Sequence, residues 1–213
     1  MRRVILFLKY PEPGGVKTRL AETVGPERAA RLARHFAEQT LAAVDALGLE
    51  AEICFIPPER EADMRAWLGP SRFYCAQRGT DLGERMAAAL LDAFARGAER
   101  AVLTGTDSPD RPAEFLAQAL ERLDDHDVVL GPATDGGYTL IAMCKKSFAP
   151  GAFQGVDWGS SAVLAQSLDA LRRAGRSVWL LPPWPDIDDE AALREYMERC
   201  PEHAMLLEDA DGC

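Results

Sequence analysis

Short apolar runs alternate along this chain with longer stretches whose apolar residues recur every three or four positions. Residues 4–9 form a run of the first kind, closed by a loop rich in Pro and Gly, and residues 26–47 carry the helical spacing, so the pair predicts a strand and then a helix. The same alternation predicts strands over 52–56, 73–76, 101–104 and 127–130, and helices over 61–68, 82–96 and 113–123. Repeated strand and helix units imply a mostly parallel sheet covered by helices on both faces. After Gly131 the rhythm changes, because the run at 139–144 follows its predecessor across a short loop with no helix, which predicts an antiparallel return. A loop over 147–160, a helix over 162–174, a strand over 177–181 and a last helix over 190–200 complete the pattern.

The length of 213 residues suits one domain spanning 1–213, and no linker, repeat or low-complexity tract divides it. A net charge of −10 repels nucleic acid and anionic membrane surfaces, so an anionic ligand needs a few aimed donors. Arg2, Arg3 and the apolar stretch after them are interrupted by Lys9, Pro11 and Glu12 before a signal-type core forms, and no other stretch is long enough to cross a bilayer. Cys54, Cys75, Cys144, Cys200 and Cys213 are odd in number and contain no C-x-x-C pair, which points to free thiols in a reducing cytoplasm.

The chemistry gathers where predicted strands end. Ala101-Val102-Leu103-Thr104 breaks into Gly105-Thr106-Asp107-Ser108-Pro109-Asp110, and in open α/β sheets ligands collect at the carboxyl ends of strands. Asp107 and Asp110 are placed there either to hold a hard cation against an anionic substrate or to start a capped helix before Pro112. The first loop, from Lys9 through Gly14 and Gly15 to Lys17 and Arg19, pairs backbone freedom with three cations and suits phosphate binding, although it is not a Walker A loop.

Four further segments have competing readings. In Gln77–Met86, Asp81 and Glu84 read as a capping box, while Gly79, Gly83 and Arg85 are candidate ligand contacts. Asp135-Gly136-Gly137-Tyr138 has the residues of a tight hairpin turn, and Asp135 is also placed to accept from a sugar hydroxyl or act as a base. Asp157 and Trp158 combine a carboxylate with an aromatic face, either to grip a sugar or to anchor a loop, and Ser160 or Ser161 is the expected N-cap of the next helix. The acids from Asp186 to Glu190 cap a helix and leave Asp188 as a second metal contact. His35, His126 and His203 read as structural or surface residues, and neither a nucleophile elbow nor G-x-G-x-x-G after the first strand is found.

These segments, in this order, resemble the radical-SAM/selenodomain-associated transferase 1 family, also described as arsenosugar-biosynthesis-type glycosyltransferases. The matching pieces are Phe7–Gly14 with Lys17-Thr18-Arg19-Leu20, Asp81–Met86, Gly105–Pro109, Gly131-Pro132-Ala133 with Asp135–Tyr138, Asp157-Trp158 and Asp186-Ile187-Asp188. The family's last motif continues with Thr and a later Asp-Leu, where this chain has Asp189 and Ala192-Leu193.

The resemblance implies a three-layer α/β/α sandwich of the glycosyltransferase-A, nucleotide-diphospho-sugar transferase type, shared with molybdenum-cofactor and 2-phospholactate guanylyltransferases. It implies that the first loop and the Asp81–Met86 region hold a nucleotide and that Asp107 stands at the metal-binding acid. The expected activity is transfer of a glycosyl group from a nucleotide-diphosphate sugar to a small acceptor, with Mg²⁺ or Mn²⁺ as cofactor. Asp135 and Asp157 would act on the acceptor hydroxyl. Lys9, Gly14, Lys17, Arg19, Gly79, Gly83, Arg85, Gly136, Gly137, Tyr138 and Trp158 would bind substrate, and Asp107 and Asp188 would bind metal. A guanylyltransferase-like reaction on a phosphorylated small molecule and a nucleotide-sugar binding module without turnover are the alternatives.

Overall fold

The computed structural model describes residues 1–203, so Cys213 lies outside the described residues. Seven strands join one sheet in the order β3-β2-β1-β4-β6-β5-β7. They are β1 Arg2–Lys9, β2 Ala51–Ile56, β3 Phe73–Ala76, β4 Arg100–Thr104, β5 Val128–Pro132, β6 Tyr138–Cys144 and β7 Val178–Leu180. The helices are α1 Thr18–Val24, α2 Pro26–Ala46, α3 Glu61–Leu68, α4 Leu82–Ala95, α5 Glu114–Arg122, α6 Val163–Arg173 and α7 Glu190–Arg199. β6 pairs antiparallel with both β4 and β5, as the missing helix after Gly131 predicts, and the other pairings are parallel.

Alternation along the strands splits the core in two. Val4, Leu6 and Leu8 of β1 face α2, α3 and α5, whereas Ile5 and Phe7 face α4 and the segment around Phe153. Full burial of each such side chain contributes about 1.5–3 kcal/mol, so the two apolar layers fix which helix covers which face. The mixed sheet between two helical layers is the architecture expected from the chain's alternation.

Two local features, the start of α1 and the N-cap of α6, depart from the pattern-based reading, while the histidines keep the structural role it gave them. Helix α1 begins inside the predicted first loop, with Lys17 at its N-cap at φ 47° and Leu20 buried against Phe36, Ile187 and Tyr196. That small third core clamps α1 and α7 onto α2, which a window confined to the loop does not reveal. The N-cap of α6 is Ala162 without a side-chain cap, because Ser160 Oγ spends itself on Asp157 O at 2.9 Å and reaches Ala162 N at 3.3 Å. His35 and His203, 168 positions apart, pack their rings at 4.5 Å. The capping-box-like arrangement is present with its return bond shifted by one residue: the N-cap Asp81 accepts from Glu84 N at 2.8 Å, and Glu84 accepts from Thr80 N at 2.8 Å. No helix among the described residues is long and apolar enough to cross a membrane.

Candidate functional site

Strand order reverses between β1 and β4, since β2 and β3 lie on one side of β1 and β4, β6, β5 and β7 on the other. Such a point leaves a crevice at the carboxyl ends of the strands. There a cavity of about 610 Å³ opens, walled by the end of β1, the first loop, the Gly105–Ser108 segment, the start of β6 and the loop holding Asp186 and Asp188.

Lys17 organises this cavity. Its side chain is 6% exposed, and its ammonium donates to Ile187 O at 2.8 Å and Asp188 Oδ1 at 2.9 Å and pairs with Asp107. Burial alone would lower this amine, but the charges of Asp107 and Asp188 outweigh it and hold the proton on. The left-handed backbone at Lys17 costs about 1 kcal/mol for a residue with a Cβ, and the ion pairs keep it in place. With all three ammonium protons engaged by the protein, Lys17 serves first to join the two acids and only by exchanging a partner can it meet a phosphate. Arg19, whose Nη2 lies 3.0 Å from Asp188 Oδ2, is exposed and retains free donors toward the cavity, as do exposed Lys9 and half-buried Arg85.

A third acid completes the cluster. Asp186 accepts from Ser108 Oγ at 2.6 Å, and its carboxyl is pushed up to about 6 by burial and by the neighbouring charges of Asp107 and Asp188. Asp188 runs the other way: burial would raise it, yet Lys17 and Arg19 together hold it below the ordinary carboxylate range. Ile187 N donates to Asp107 O at 2.9 Å and so docks this acidic loop on the segment after β4. Three carboxylates thus face one buried ammonium. The donors are hard oxygens, Asp107 and Asp188 are 50% and 41% exposed, and the surplus negative charge fits a divalent cation of the Mg²⁺ or Mn²⁺ class.

Of the residues singled out in the sequence, Lys9, Lys17, Arg19, Arg85, Asp107, Tyr138 and Asp188 line the main cavity. Asp135 lines a second cavity of about 260 Å³ beside it, together with Arg19, Asp186, Asp188, Asp189 and Glu195. Asp135 also closes the β5–β6 hairpin, accepting from Gly137 N at 2.9 Å. Gly14, Gly79, Gly83, Gly136, Gly137, Asp157 and Trp158 line neither cavity. Three of these glycines answer to packing: a Cβ on Gly83 would stand 2.4 Å from Phe153 O and 2.6 Å from Trp158 Nε1, one on Gly136 would stand 2.1 Å from Ser161 O, and one on Gly79 would stand 2.8 Å from Arg85 N. Trp158 turns inward against Tyr138, ring centroids 6.2 Å apart, so it anchors its loop behind the cavity. The Asp157 backbone N–H donates to Gln166 Oε1 at 2.7 Å and the residue is exposed.

Asp110 proves to be a fastener, accepting from Arg199 Nε at 2.7 Å and Trp184 Nε1 at 3.2 Å. Pattern reasoning counts Asp186 among the capping acids and in the Asp186-Ile187-Asp188 motif but gives it no role in the site, although its i, i+2 spacing from Asp188 was a usable signal. It passes over Arg111, which is 8% exposed and forks between Thr104 Oγ1 at 2.9 Å and Thr139 Oγ1 at 3.2 Å, tying the end of β4 to the start of β6. Burial lowers this guanidinium to about 10, with Asp186 the charge that works against the shift. Among the described residues, the group of three metal-type donors whose ligand atoms all lie within 4.8 Å of one another is Cys200, Glu202 and His203, away from this cavity, and the three acids of the cavity are set wider apart.

Solved structures share this architecture. The chain is similar, with 39% identity over 97% of its length and 96% of the other's and a TM-score of 0.87, to a protein of Desulfovibrio desulfuricans G20 provisionally described as a nucleotide-diphospho-sugar transferase. At 11% identity it shares its fold with 4-diphosphocytidyl-2C-methyl-D-erythritol synthase of Anaerococcus prevotii DSM 20548, with a TM-score of 0.62 over 94% of this chain and 99% of that one. At 15% identity it shares it with the inositol-1-phosphate CTP transferase of T. maritima, with a TM-score of 0.57 over 100% and 98%. No curated protein matches the chain. A family model matches residues 39–160, and the chain therefore belongs to the DUF2064 family, described as an uncharacterized protein conserved in bacteria.

Proposed function

We propose that the chain is a divalent-metal-dependent transferase that takes a nucleotide-diphosphate sugar into the main cavity and passes the glycosyl group to a small acceptor, as in the radical-SAM-associated transferases it resembles. The observation that carries this reading is the convergence of Lys17, Asp107 and Asp188 at the strand-order reversal between β1 and β4. The name given to the Desulfovibrio relative, at 39% identity, supports it.

Asp107 and Asp188 would hold the cation, which when bound supplies positive charge against the diphosphate of the donor. Lys17 keeps the two acids together at a fixed spacing. Arg19, Arg85 and Lys9 bind phosphate oxygens from the open side of the cavity. Asp135, on the adjoining hairpin, orients the acceptor hydroxyl and takes its proton. Asp157 has no place in this scheme, because its side chain opens to neither cavity.

The acceptor side favours glycosyl over nucleotidyl transfer. The second cavity sets Asp135, Asp186, Asp188, Asp189 and Glu195 against Arg19 alone, a field that repels a phosphorylated acceptor and accommodates a neutral polyol. Isothermal titration with a panel of nucleotide-diphosphate sugars and Mn²⁺ tests the reading. Binding should require the metal and weaken at least tenfold in Asp107→Asn, and acceptor should release nucleoside diphosphate. Absence of binding to every donor refutes it, and pyrophosphate release from a nucleoside triphosphate establishes the nucleotidyl alternative. Tight donor binding with neither transfer nor donor hydrolysis establishes a binding module.

A further inference from the structure

Two of the cysteines that look scattered in the sequence meet across the sheet. Cys54 of β2 and Cys75 of β3 are register partners on adjacent parallel strands, and their sulfurs stand 2.7 Å apart. Neighbouring strands run about 4.8 Å apart, which falls inside the Cα separation of about 4.4–6.8 Å that a disulfide spans. Both side chains lie on the α4 face of the sheet. The other two described cysteines are placed differently: Cys144 Sγ lies 3.5 Å from Leu123 O, and Cys200 sits beside Glu202 and His203.

The pair is asymmetric in the way stepwise oxidation needs. Cys54 is 2% exposed in the core, whereas Cys75 is half-buried on β3, the edge strand. Arg96, at the end of α4, covers the same patch, with Nη2 2.5 Å from Glu52 Oε2 and its guanidinium 4.0 Å from the Phe73 ring centroid. The hydrogen bond from the Cys54 thiol, helped by Arg96, holds Cys75 below the ordinary thiol range against the opposing effects of burial, Glu52 and Asp92. Cys54 is pushed upward by that same hydrogen bond and by burial, so it keeps its proton.

We propose that Cys54 and Cys75 are a modification site, a dithiol that a peroxide converts reversibly to a disulfide bridging β2 and β3. The Cys75 thiolate attacks one oxygen of hydrogen peroxide, forming S–O as O–O breaks, and the departing hydroxide takes up a proton to become water. The Cys54 sulfur then attacks the Cys75 sulfenic acid, forming S–S as S–O breaks, and the second hydroxide leaves with the Cys54 proton as water. Two thiols lose two electrons and two protons, and the peroxide is reduced to two waters. Two solvent thiols return the pair to its starting state by exchange: the first opens the bridge, leaving one cysteine as a thiol and the other in a mixed disulfide, and the second displaces that cysteine as the solvent thiols leave joined as a disulfide.

The bridge would close directly behind the wall of the main cavity. Gln77, two residues beyond Cys75, lines that cavity, with its backbone N–H on Phe55 O at 2.9 Å and its Nε2 on Cys54 O at 3.0 Å. Oxidation therefore ties together the two strand ends from which this residue hangs.

The test uses the full, folded, reduced chain, treated with hydrogen peroxide, alkylated, digested without reductant and mapped by mass spectrometry. The expected product is a peptide containing Cys54 joined to one containing Cys75, lighter than their sum by two hydrogens and separated again by dithiothreitol. Cys54→Ser should lose the linked peptide and leave the Cys75 sulfenic acid open to capture by dimedone. Alkylation of both residues in the peroxide-treated wild type overturns the proposal, as does linkage of either to another cysteine or conversion of Cys75 to the sulfinic acid while Cys54 stays a free thiol. The wild-type map alone decides the matter if the variant fails to fold.

Discussion

The Lys17 ammonium donates to Asp188 Oδ1 at 2.9 Å across 171 positions of sequence. This bond joins the first loop of the chain to the segment before α7, and Asp107, just beyond the end of β4, shares the same ammonium. The site is thereby assembled from three distant stretches around one cation that solvent scarcely reaches.

Lys17→Met removes that cation and leaves Asp107, Asp186 and Asp188 facing one another. Breaking a fully buried pair costs about 3–5 kcal/mol, and solvent at the half-exposed acids reduces this to about 2–3 kcal/mol. Urea unfolding should show that loss in chelator, with part of it recovered on adding Mn²⁺. An unchanged midpoint would contradict the bridging role.

Gly83, in the first turn of α4, and Gly14, in the first loop, should respond differently to a methyl group. Gly83→Ala drives a Cβ to within 2.4 Å of Phe153 O, an overpacking worth about 3 kcal/mol, whereas Gly14→Ala meets open space and has only its φ of 74° to strain, about 1 kcal/mol. Thermal melts of the two variants side by side check the order, and equal losses would mean that the loop around Phe153 and Trp158 yields.

The raised carboxyl of Asp186 sets a pH dependence with a definite sign. An unfolded aspartate titrates near 3.9 and the folded one at about 6, so the native state binds the extra proton between these values. In metal-free buffer stability should decline as pH rises from about 4 to about 6, by about 2–3 kcal/mol, and then level. Asp186→Asn retains an acceptor for Ser108 and should flatten the decline. A wild-type profile that rises through this window would show that Asp186 is ionised in the native state well below 6.

Arg111→Lys keeps the charge but loses the fork that spans Thr104 and Thr139. Loss of one of these buried bonds should cost about 1–2 kcal/mol. Amide hydrogen exchange localises the effect: protection should fall at the Thr104 and Thr139 ends of β4 and β6, and an even loss over the whole sheet would argue against a local clasp.

Much of this molecule could be read from one-dimensional pattern. Helices over Glu61–Leu68 and strands such as Phe73–Ala76 stand where periodicity puts them, and the antiparallel sense of β6 follows from the short connection after Gly131. The positions of Lys17, Asp107 and Asp188 at strand and helix ends were legible for the same reason. What pattern cannot supply is register and burial. Only the pairing of β2 with β3 sets Cys54 opposite Cys75, and only the folded loop buries Asp186 within reach of the charges of Asp107 and Asp188 and turns Trp158 against Tyr138. Helix α1 was hidden because its seven residues are held by Phe36, Ile187 and Tyr196, all far from it in sequence or outside any local window.

The reversed β6 has a bearing on how this architecture diversifies. Because it runs against its neighbours, the tip of the β5–β6 hairpin rises beside the cavities while both of its stems stay paired within the sheet. Residues inserted at positions 134–135, short of Gly136 and its close packing on Ser161, would lengthen the lip of the second cavity and leave strand order and register untouched. New selectivity can therefore be grafted here by exchanging a single short segment, as an exchangeable jaw is fitted to an unchanged vice.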